Sequence, residues 1–424
     1  MMKKIFSAAL AAVLCALTLC ACANPDEFTD DEKMLGKYKR NNDISVTFNY
    51  ADGTAEPPTS YTNYTDAMTG LSLRMLNELA KTEKGSFAFS PAAVELQLAM
   101  TANAAAPEVR QDILLSFSGN LTLDDLNRCS SYFASRMESV AKAGLKKSEK
   151  PTAHVRLGGA LLINKGIDVK SSFLQTARDY YDLGVFRYEF DGEHADKKLK
   201  NQFSSYGLDE APDVESDAAL ISAASISDAW LNGYEADAEA GTFNGVDGTR
   251  EARFFTASEI KLQTANAVGI IKYTAKTPLK LVLIMPNEGI STEDYLKLLT
   301  VNEYAALFDS VDFTKRVSAV IPSFSLESGS ASARSAMLSH CGLASLFTGG
   351  SLSAMSFNSA AQISEAWEIS PKFSLSINGV NTDSAPQNIS APEPAGDTVT
   401  FDRPFIFMLV DNETNIPVQM GVYQ

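Results

Sequence analysis

A long loop-like stretch near the C-terminus constrains the fold of this chain more than any other feature. It runs from Ile377 to Phe405 and is rich in Pro, Gly, Asn, Ser and small residues. Alternating apolar residues, typical of strands, flank it at 363–377 and 405–423. A compact domain seldom carries so long a connection without a use for it. Because the stretch contains no His, no Cys and no cluster of metal ligands, we interpret it as a loop presented to a partner rather than as a catalytic loop.

The chain is long and apolar enough to bury a large core. It has 424 residues, of which 45% are hydrophobic, and no internal repeat or low-complexity block divides it. A formal net charge of -16 argues against nucleic acid or an anionic membrane surface as an electrostatic partner. We therefore expect one large domain that binds no nucleic acid.

The first 22 residues have the pattern of a lipoprotein signal peptide. Two lysines precede an apolar run that is too short for a good membrane span, so we expect export. The end of the run, Leu19–Cys22, resembles the bacterial lipobox, in which the cysteine receives lipid and becomes the first mature residue. Cleavage without lipid remains the alternative. If Cys22 is lipidated, Cys129 and Cys341 are too few for a disulfide-stapled scaffold.

Residues 23–60 are polar and are predicted to form a tether, with one short strand pattern at 44–50. The globular domain is predicted over residues 61–424. If the anchor forms, the domain faces outward from the cell surface on this spacer.

The first part of the domain has helical patterns. Residues 65–81 form an apolar helical stripe with Thr65 as a candidate N-cap. A second helix opens at Ser90 and Pro91, and its nearly continuous apolar character predicts that it is buried. Two weaker helices follow at 107–117 and 121–139, the latter with Thr122 and Asp125 at capping-box spacing.

Strand patterns dominate the later part. They lie at 153–165, 185–190, 217–230, 250–258, 268–275, 279–286, 316–328, 368–377 and 404–410, with helices only at 171–182 and 332–342. Helices early and strands late favour an α+β fold over alternating βαβ units.

Motifs of known chemistry are scarce. His154, His194 and His340 have no metal-ligand spacing, and the chain lacks a GxSxG elbow, a P-loop and a GxGxxG motif. A Ser-His-Asp triad stays open as an alternative, although it would have to use one of only three histidines. We predict no metal, no cofactor and no enzymatic activity.

Several segments between Asn63 and Gln424, taken in order, resemble the serpin family. Residues 85–105 resemble the buried helix that follows Asn-x-x-x-Ser-Pro, although Ser86 holds the Asn position. Residues 279–289 resemble the strand that ends in Leu-Pro-Asp-Glu-Gly. The tail matches most closely, at Phe401, Arg403, Pro404, Phe405, Asp411, Asn412, Glu413, Thr414, Met420 and Gly421.

The resemblance implies a serpin fold, with helices packed on large antiparallel and mixed sheets and an exposed reactive-centre loop at about 379–400. It also implies a suicide inhibitor of serine or cysteine proteases, which acts when the cut loop inserts into a sheet as an extra strand. We expect a monomer whose partners are a target protease and, through the lipid anchor, a membrane.

The hinge of the predicted loop departs from the inhibitory pattern. It comprises Thr382, Asp383, Ser384, Ala385 and Pro386, of which Thr382, Ser384 and Ala385 are small or short enough to suit insertion. Proline has no N–H for a strand ladder, so Pro386 disfavours insertion. The alternative is therefore a non-inhibitory surface protein of the same fold with a binding or structural role.

The resemblance also places residues that control opening of the sheet. Ser90 matches the family's shutter serine, Ser222 replaces the usual Asn, and Trp230 is kept. Pro371 takes the position where the family usually has a shutter His.

Two counts along the loop give different scissile bonds. Counting from Thr382 gives Ala395–Gly396, whereas counting back from residues 401–405 gives Glu393–Pro394. A proline after the cut disfavours cleavage by most serine proteases, so we predict Ala395–Gly396. A small apolar Ala suits the shallow pocket of an elastase-like or subtilisin-like protease.

Overall fold

The computed structural model describes residues 56–142, 153–164, 166–181, 183–188, 217–234, 239–326, 331–356, 363–369, 373–374 and 396–424. Helices fill the first part of these residues and strands most of the rest, which confirms the predicted α+β class. The helices are α1 Tyr61–Thr82, α2 Pro91–Ala104, α3 Pro107–Ser116, α4 Leu123–Lys142, α5 Ser171–Tyr180, α6 Thr292–Leu298, α7 Val301–Asp309 and α8 Ala331–Leu338. A π-helical turn, Ser339–Leu343, and a 3₁₀ helix, Ala344–Phe347, follow α8.

The start of α1 corrects one prediction. Thr65 is not the N-cap, because α1 begins at Tyr61, after Ser60. The Thr65 hydroxyl instead donates to the Thr62 carbonyl oxygen at 2.8 Å, within the first turn. Tyr61 and Tyr64 are both buried, so the apolar stripe extends further toward the N-terminus than the pattern indicated. The capping box of α4 is confirmed, since Asp125 N donates to Thr122 Oγ1 at 3.1 Å.

Helix α2 begins where its sequence predicts and is buried on every side. The Ser90 hydroxyl accepts a hydrogen bond from Ala93 N at 3.3 Å, and Pro91 supplies a first helical residue that needs no partner for an N–H. The helix packs against strands of both main sheets. Its buried surface includes two polar side chains, Glu95 and Gln97.

The described residues form fifteen strands. They are β1 Phe87–Phe89, β2 His154–Asn164, β3 Gly184–Tyr188, β4 Ala218–Ser227, β5 Glu239–Gly245, β6 Gly248–Gln263, β7 Ala267–Tyr273, β8 Leu279–Pro286, β9 Arg316–Pro322, β10 Ser325–Leu326, β11 Ile363–Ile369, β12 Phe373–Ser374, β13 Thr398–Thr400, β14 Phe405–Asp411 and β15 Pro417–Tyr423.

The larger sheet has nine strands in the order β1-β15-β14-β8-β7-β6-β9-β13, with β5 also paired to β6. Its pairs are antiparallel except for β13 beside β9. Strands β14 and β15 are buried along their whole length. One hydrophobic core lies between this sheet and the helices, and a second, aromatic cluster contains Phe243, Phe324, Phe405 and Tyr423.

The smaller sheet has four strands in the order β11-β4-β2-β3. Strand β4 is antiparallel to β2 and parallel to β11, and β3 is parallel to β2. A separate two-stranded ladder joins β10 to β12. Helix α2 packs against β2 and β4 of this sheet and against β15 of the larger one, so it lies where the two sheets meet the helices.

A buried ion pair joins α4 to the end of β14. Arg136 Nη1 lies 2.6 Å from Asp411 Oδ1, and the two side chains are 5% and 0% exposed. Arg136 Nη2 also reaches Glu413 Oε2 at 3.1 Å, and Asp411 Oδ2 accepts from Thr414 N at 3.1 Å. The pair therefore holds the turn after β14 against the helical layer.

Removing the cation of this pair should destabilise the fold strongly. We expect Arg136→Met to lower the free energy of unfolding by about 3–5 kcal/mol, because it leaves the Asp411 carboxylate buried without its charge partner. Lys297→Met is the control, since Lys297 pairs with Asp294 at 3.0 Å on an exposed surface and should change the free energy of unfolding little. Guanidinium unfolding of both variants measures the difference, and equal losses would contradict the assignment.

Candidate functional site

The predicted reactive-centre loop joins β12 to β13, and the structure describes only its last residues. Gly396 adopts φ +40°, a conformation that favours glycine, and Asp397 O accepts from Ser318 N at 3.0 Å. Strand β13 then pairs with β9, so this end of the loop is attached to the edge of the nine-stranded sheet. Thr382, Asp383, Ser384, Ala385, Pro386 and Ala395 lie outside the described residues, as does Cys22.

Strands β4 and β11 are direct neighbours and run parallel. Their register places Ser222 opposite Glu368 and Ala223 opposite Ile369. The predicted loop follows β11 and the short strand β12 in the chain. A loop segment that folded back between β4 and β11 would therefore run antiparallel to both. One parallel ladder would then be replaced by two antiparallel ladders, which are slightly more stable per residue.

The register identifies the β11 residue opposite Ser222. That residue is Glu368, whereas Pro371, three positions later, lies outside the described residues. A carboxylate residue therefore stands on β11 beside the serine.

The shutter residues lie around α2. Ser90 Oγ donates to the Val418 carbonyl oxygen at 2.7 Å, which ties the start of α2 to β15. Ser222 is 4% exposed and lies in the middle of β4, with Gly159 of β2 opposite it on the other side. Ser90 thus connects α2 to the larger sheet, and Ser222 belongs to the smaller sheet that packs on the same helix.

Gln97 and Gly159 form a close contact that the sequence patterns did not predict. Gln97 is 1% exposed, and neither its Oε1 nor its Nε2 has a hydrogen-bond partner within the described part of the chain. A Cβ on Gly159 would overlap Gln97 Oε1 and lie 2.5 Å from the Ile221 carbonyl oxygen. Only glycine fits there. A glycine inside a strand pattern was the available signal.

Glu95 is the second buried polar residue of α2. Its Oε1 accepts from Ser72 Oγ at 3.0 Å. Burial raises the pKa of Glu95 well above its usual value, while the Ser72 hydrogen bond and the charge of Arg74 lower it less. Burial therefore favours the protonated, uncharged form of this side chain.

Trp230 covers a buried lysine. Lys272 Nζ lies 2.5 Å from Glu259 Oε1 and donates to the Asn232 carbonyl oxygen at 2.8 Å, with the lysine and glutamate 0% and 2% exposed. The ammonium lies 5.6 Å from the centroid of the Trp230 ring and 4.6 Å from that of Tyr234, within reach of cation–π attraction. The buried pair attaches the segment after β4 to the larger sheet.

Asp228 reinforces the same attachment. Its Oδ2 accepts from Thr277 N at 2.6 Å and from Lys276 N at 2.9 Å, both in the turn between β7 and β8. The backbone bridge between Trp230 and Thr274 adds to it. Nothing in the sequence patterns indicated these contacts, because each joins positions far apart in the chain.

Other chemistry is sparse in the described residues. They contain no group of three or more His, Cys, Asp or Glu placed to hold a metal ion, and none of their helices is long and apolar enough to cross a membrane. His154 Nε2 lies 3.0 Å from Ser225 Oγ, but no ion pair joins that histidine to a carboxylate within the described ranges. Burial lowers the pKa of His154. His340 Nδ1 lies 3.4 Å from Glu78 Oε2, and His194 lies outside the described residues.

The described residues combine a helical layer, a nine-stranded sheet and a four-stranded sheet in which β4 and β11 pair in parallel. The sequence agrees with this architecture, since residues 66–424 match the family model described as Serpin (serine protease inhibitor). The chain belongs to the serpin family, as its motifs predicted.

Individual relatives are distant. Rat alpha-1-antiproteinase is 22% identical over 361 residues, which cover 78% of this chain and 82% of that protein. Mouse serpin A11 is 25% identical over 135 residues, covering 32% of this chain and 30% of that protein. These matches span most of the first relative and less than a third of the second.

Solved structures confirm the predicted fold. The thermophilic serpin tengpin in its native state superposes with a TM-score of 0.75 at 23% identity, covering 87% of this chain and 95% of tengpin. Human thyroxine-binding globulin, solved as a complex with its ligand, superposes with a TM-score of 0.70 at 14% identity. The superposition covers 85% of this chain and 98% of that protein. At these identities the likeness concerns the fold alone.

Proposed function

We propose that this serpin inhibits serine or cysteine proteases as a suicide substrate. The observation that carries the proposal is the direct parallel pairing of β4 with β11, at Ser222 and Glu368. A sheet with this pairing gains two antiparallel ladders if the loop inserts. The match to the serpin family model supports the same reaction class.

The inhibitory reaction begins as ordinary proteolysis. The protease nucleophile attacks the carbonyl carbon of Ala395, the C–N bond to Gly396 breaks, and the new amino terminus leaves with a proton. Ala395 then remains attached to the enzyme as an acyl group. If the freed hinge inserts between β4 and β11 before water attacks, the protease is carried away from the geometry that deacylation needs. Each 1.4 kcal/mol or so on the insertion barrier changes this race about tenfold.

Pro386 slows the race in this proposal without preventing insertion. It forfeits one ladder bond and leaves a carbonyl unpaired, which costs roughly 1–3 kcal/mol. About a dozen new strand bonds outweigh that loss at equilibrium. The same energy placed on the barrier slows trapping by roughly 10- to 100-fold.

A second candidate function rests on the same proline. If insertion is too slow to trap any protease, the chain is a non-inhibitory surface protein with a binding or structural role. Thyroxine-binding globulin, with which it shares its fold, is named for a ligand rather than a protease. The hinge therefore distinguishes the two candidates.

A trapped protease on a denaturing gel tests inhibition. We expect an elastase-like or subtilisin-like protease to give a band at the mass of the protease plus the serpin chain up to Ala395. We expect the cut protein to melt about 10–15 °C higher than the uncut protein because new strand bonds form. Pro386→Ala is the matched variant and should increase the trapped fraction. If the unmodified protein and Pro386→Ala are both cut but give no complex and no higher melting temperature, the non-inhibitory function is favoured.

The scissile bond is tested separately. Mass spectrometry of the C-terminal fragment should give a first residue of Gly396. Ala395→Arg should transfer trapping to a trypsin-like protease, because a buried Asp in the primary pocket of such an enzyme binds Arg and offers nothing to Ala. A fragment that starts elsewhere, or an unchanged protease preference, would contradict the assignment.

We also propose that the chain is exported and anchored to the membrane at the cell surface through lipid on Cys22. The lipobox-like Leu19–Cys22 and the polar residues 23–60 support this proposal. Cys22→Ser should release the protein from the membrane fraction or block its processing, because the acyl group cannot be attached. Ser substituted at Cys20 is the control and should leave fractionation unchanged. Membrane association that survives the loss of Cys22 would exclude the anchor.

A further inference from the structure

Within the described part of the chain, the side-chain amide of Gln97 is buried without a hydrogen bond that would offset the free energy of its desolvation. Its amide lies between α2 and β2 with no hydrogen-bond partner for Oε1 or Nε2 in the described residues. Leaving a buried polar group unpaired costs about 1–3 kcal/mol. An apolar side chain of the same length would avoid that cost, as Leu96 and Leu98 do on either side. The amide therefore needs an explanation from another state of the molecule.

The register of the small sheet indicates what that amide can meet. Gly159 of β2 lies directly above Gln97 and pairs with Ser222 of β4. Directly paired residues of antiparallel strands point to the same face of a sheet. A Cβ on Gly159 would point at Gln97, so Ser222 also points toward the α2 layer, one strand spacing away.

Insertion of a strand would move β4 and β2 sideways relative to α2. A new strand between β4 and β11 separates them by one more spacing, about 4.8 Å. Helix α2 stays with the larger sheet, because it follows β1 directly and Ser90 Oγ donates to Val418 O. Strand β11 is held to the same body, since α8 packs against both β11 and α1. Hence β4 and β2 move, and β4 arrives where β2 lay.

We propose that Gln97 is a positioning residue for loop insertion, whose amide gains the Ser222 hydroxyl as a partner when the sheet expands. The inference rests on the proposed inhibitory function. In the closed sheet, Gly159 leaves the space that Gln97 Oε1 occupies. In the expanded sheet, Ser222 replaces Gly159, the flexible end of Gln97 turns aside, and its amide pairs with the serine hydroxyl. The amide thus raises the free energy of the uncut form, in which it is unpaired. It lowers the free energy of the inserted form, in which it is paired.

The chain contains its own reporter for this motion. It has two tryptophans, Trp230 after β4 and Trp367 on β11, and these are the strands that separate. Their fluorescence after rapid cleavage of the loop by a subtilisin-like protease follows insertion without a label. We expect Gln97→Met to slow insertion about 10-fold and Ser222→Ala about 3-fold. The double variant should be no slower than Gln97→Met alone, because both changes remove the same bond.

Two controls separate this bond from a general loss of stability. Thr101→Val changes a buried polar residue of α2 whose hydroxyl already donates to Gln97 O at 2.8 Å, so the insertion rate should not change. Ser222→Thr keeps the hydroxyl and should restore insertion to within about 2-fold of the unmodified rate. If Gln97→Met folds poorly, Ser222→Ala against Ser222→Thr still decides the matter.

The outcomes distinguish the two levels of the proposal. If Gln97→Met inserts at the unmodified rate, or if the slowing in the double variant is the product of the single effects, the Gln97–Ser222 bond is refuted while inhibition stands. If the unmodified protein shows no fluorescence change and no gain in stability on cleavage, the proposed function fails and this inference fails with it.

Discussion

The rest of the structure depends on the parallel ladder that joins β4 to β11 at one edge of the small sheet. The proposed function requires this ladder to open. Parallel strands need a long crossover connection, and here residues 228–362 supply it. If the loop inserts as proposed, the described sheet is one of two arrangements, and the helical layer under it has to pack against both.

Helix α2 shows how one element can serve two sheet arrangements. It is buried on every side, and its start is tied to the larger sheet by Ser90. Of its buried polar residues, Glu95 accepts from Ser72 of α1, whereas Gln97 faces Gly159 of β2. Under the proposed insertion, the pairing of the Gln97 amide depends on where the small sheet lies. The close contact at Gly159 sets where that amide lies.

Much of the fold follows from local patterns, and the parts that do not share a cause. The capped start of α2 at Ser90, the order of helices and strands, and the tail around Phe405 were all predictable, since each depends on residues close in sequence. The Lys272–Glu259 pair under Trp230 was not, because a lysine and a glutamate in two strand patterns look like solvent-facing residues until the register is known. Thr65 was wrong as an N-cap for a related reason, since burial of Tyr61 extends the helix. Register is a property of the assembled sheet, and local patterns do not carry it.

The hydrogen bond from Ser90 to Val418 also has a kinetic consequence. It joins residues 328 positions apart, and β1 beside it pairs with β15, one of the last strands to be made. Helix α2 cannot dock until nearly the whole chain is available, and contacts so distant in sequence make folding slow. During synthesis its apolar surface has no permanent partner. Because α2 has to wait for β15, the native state can form only after the whole domain has been synthesised.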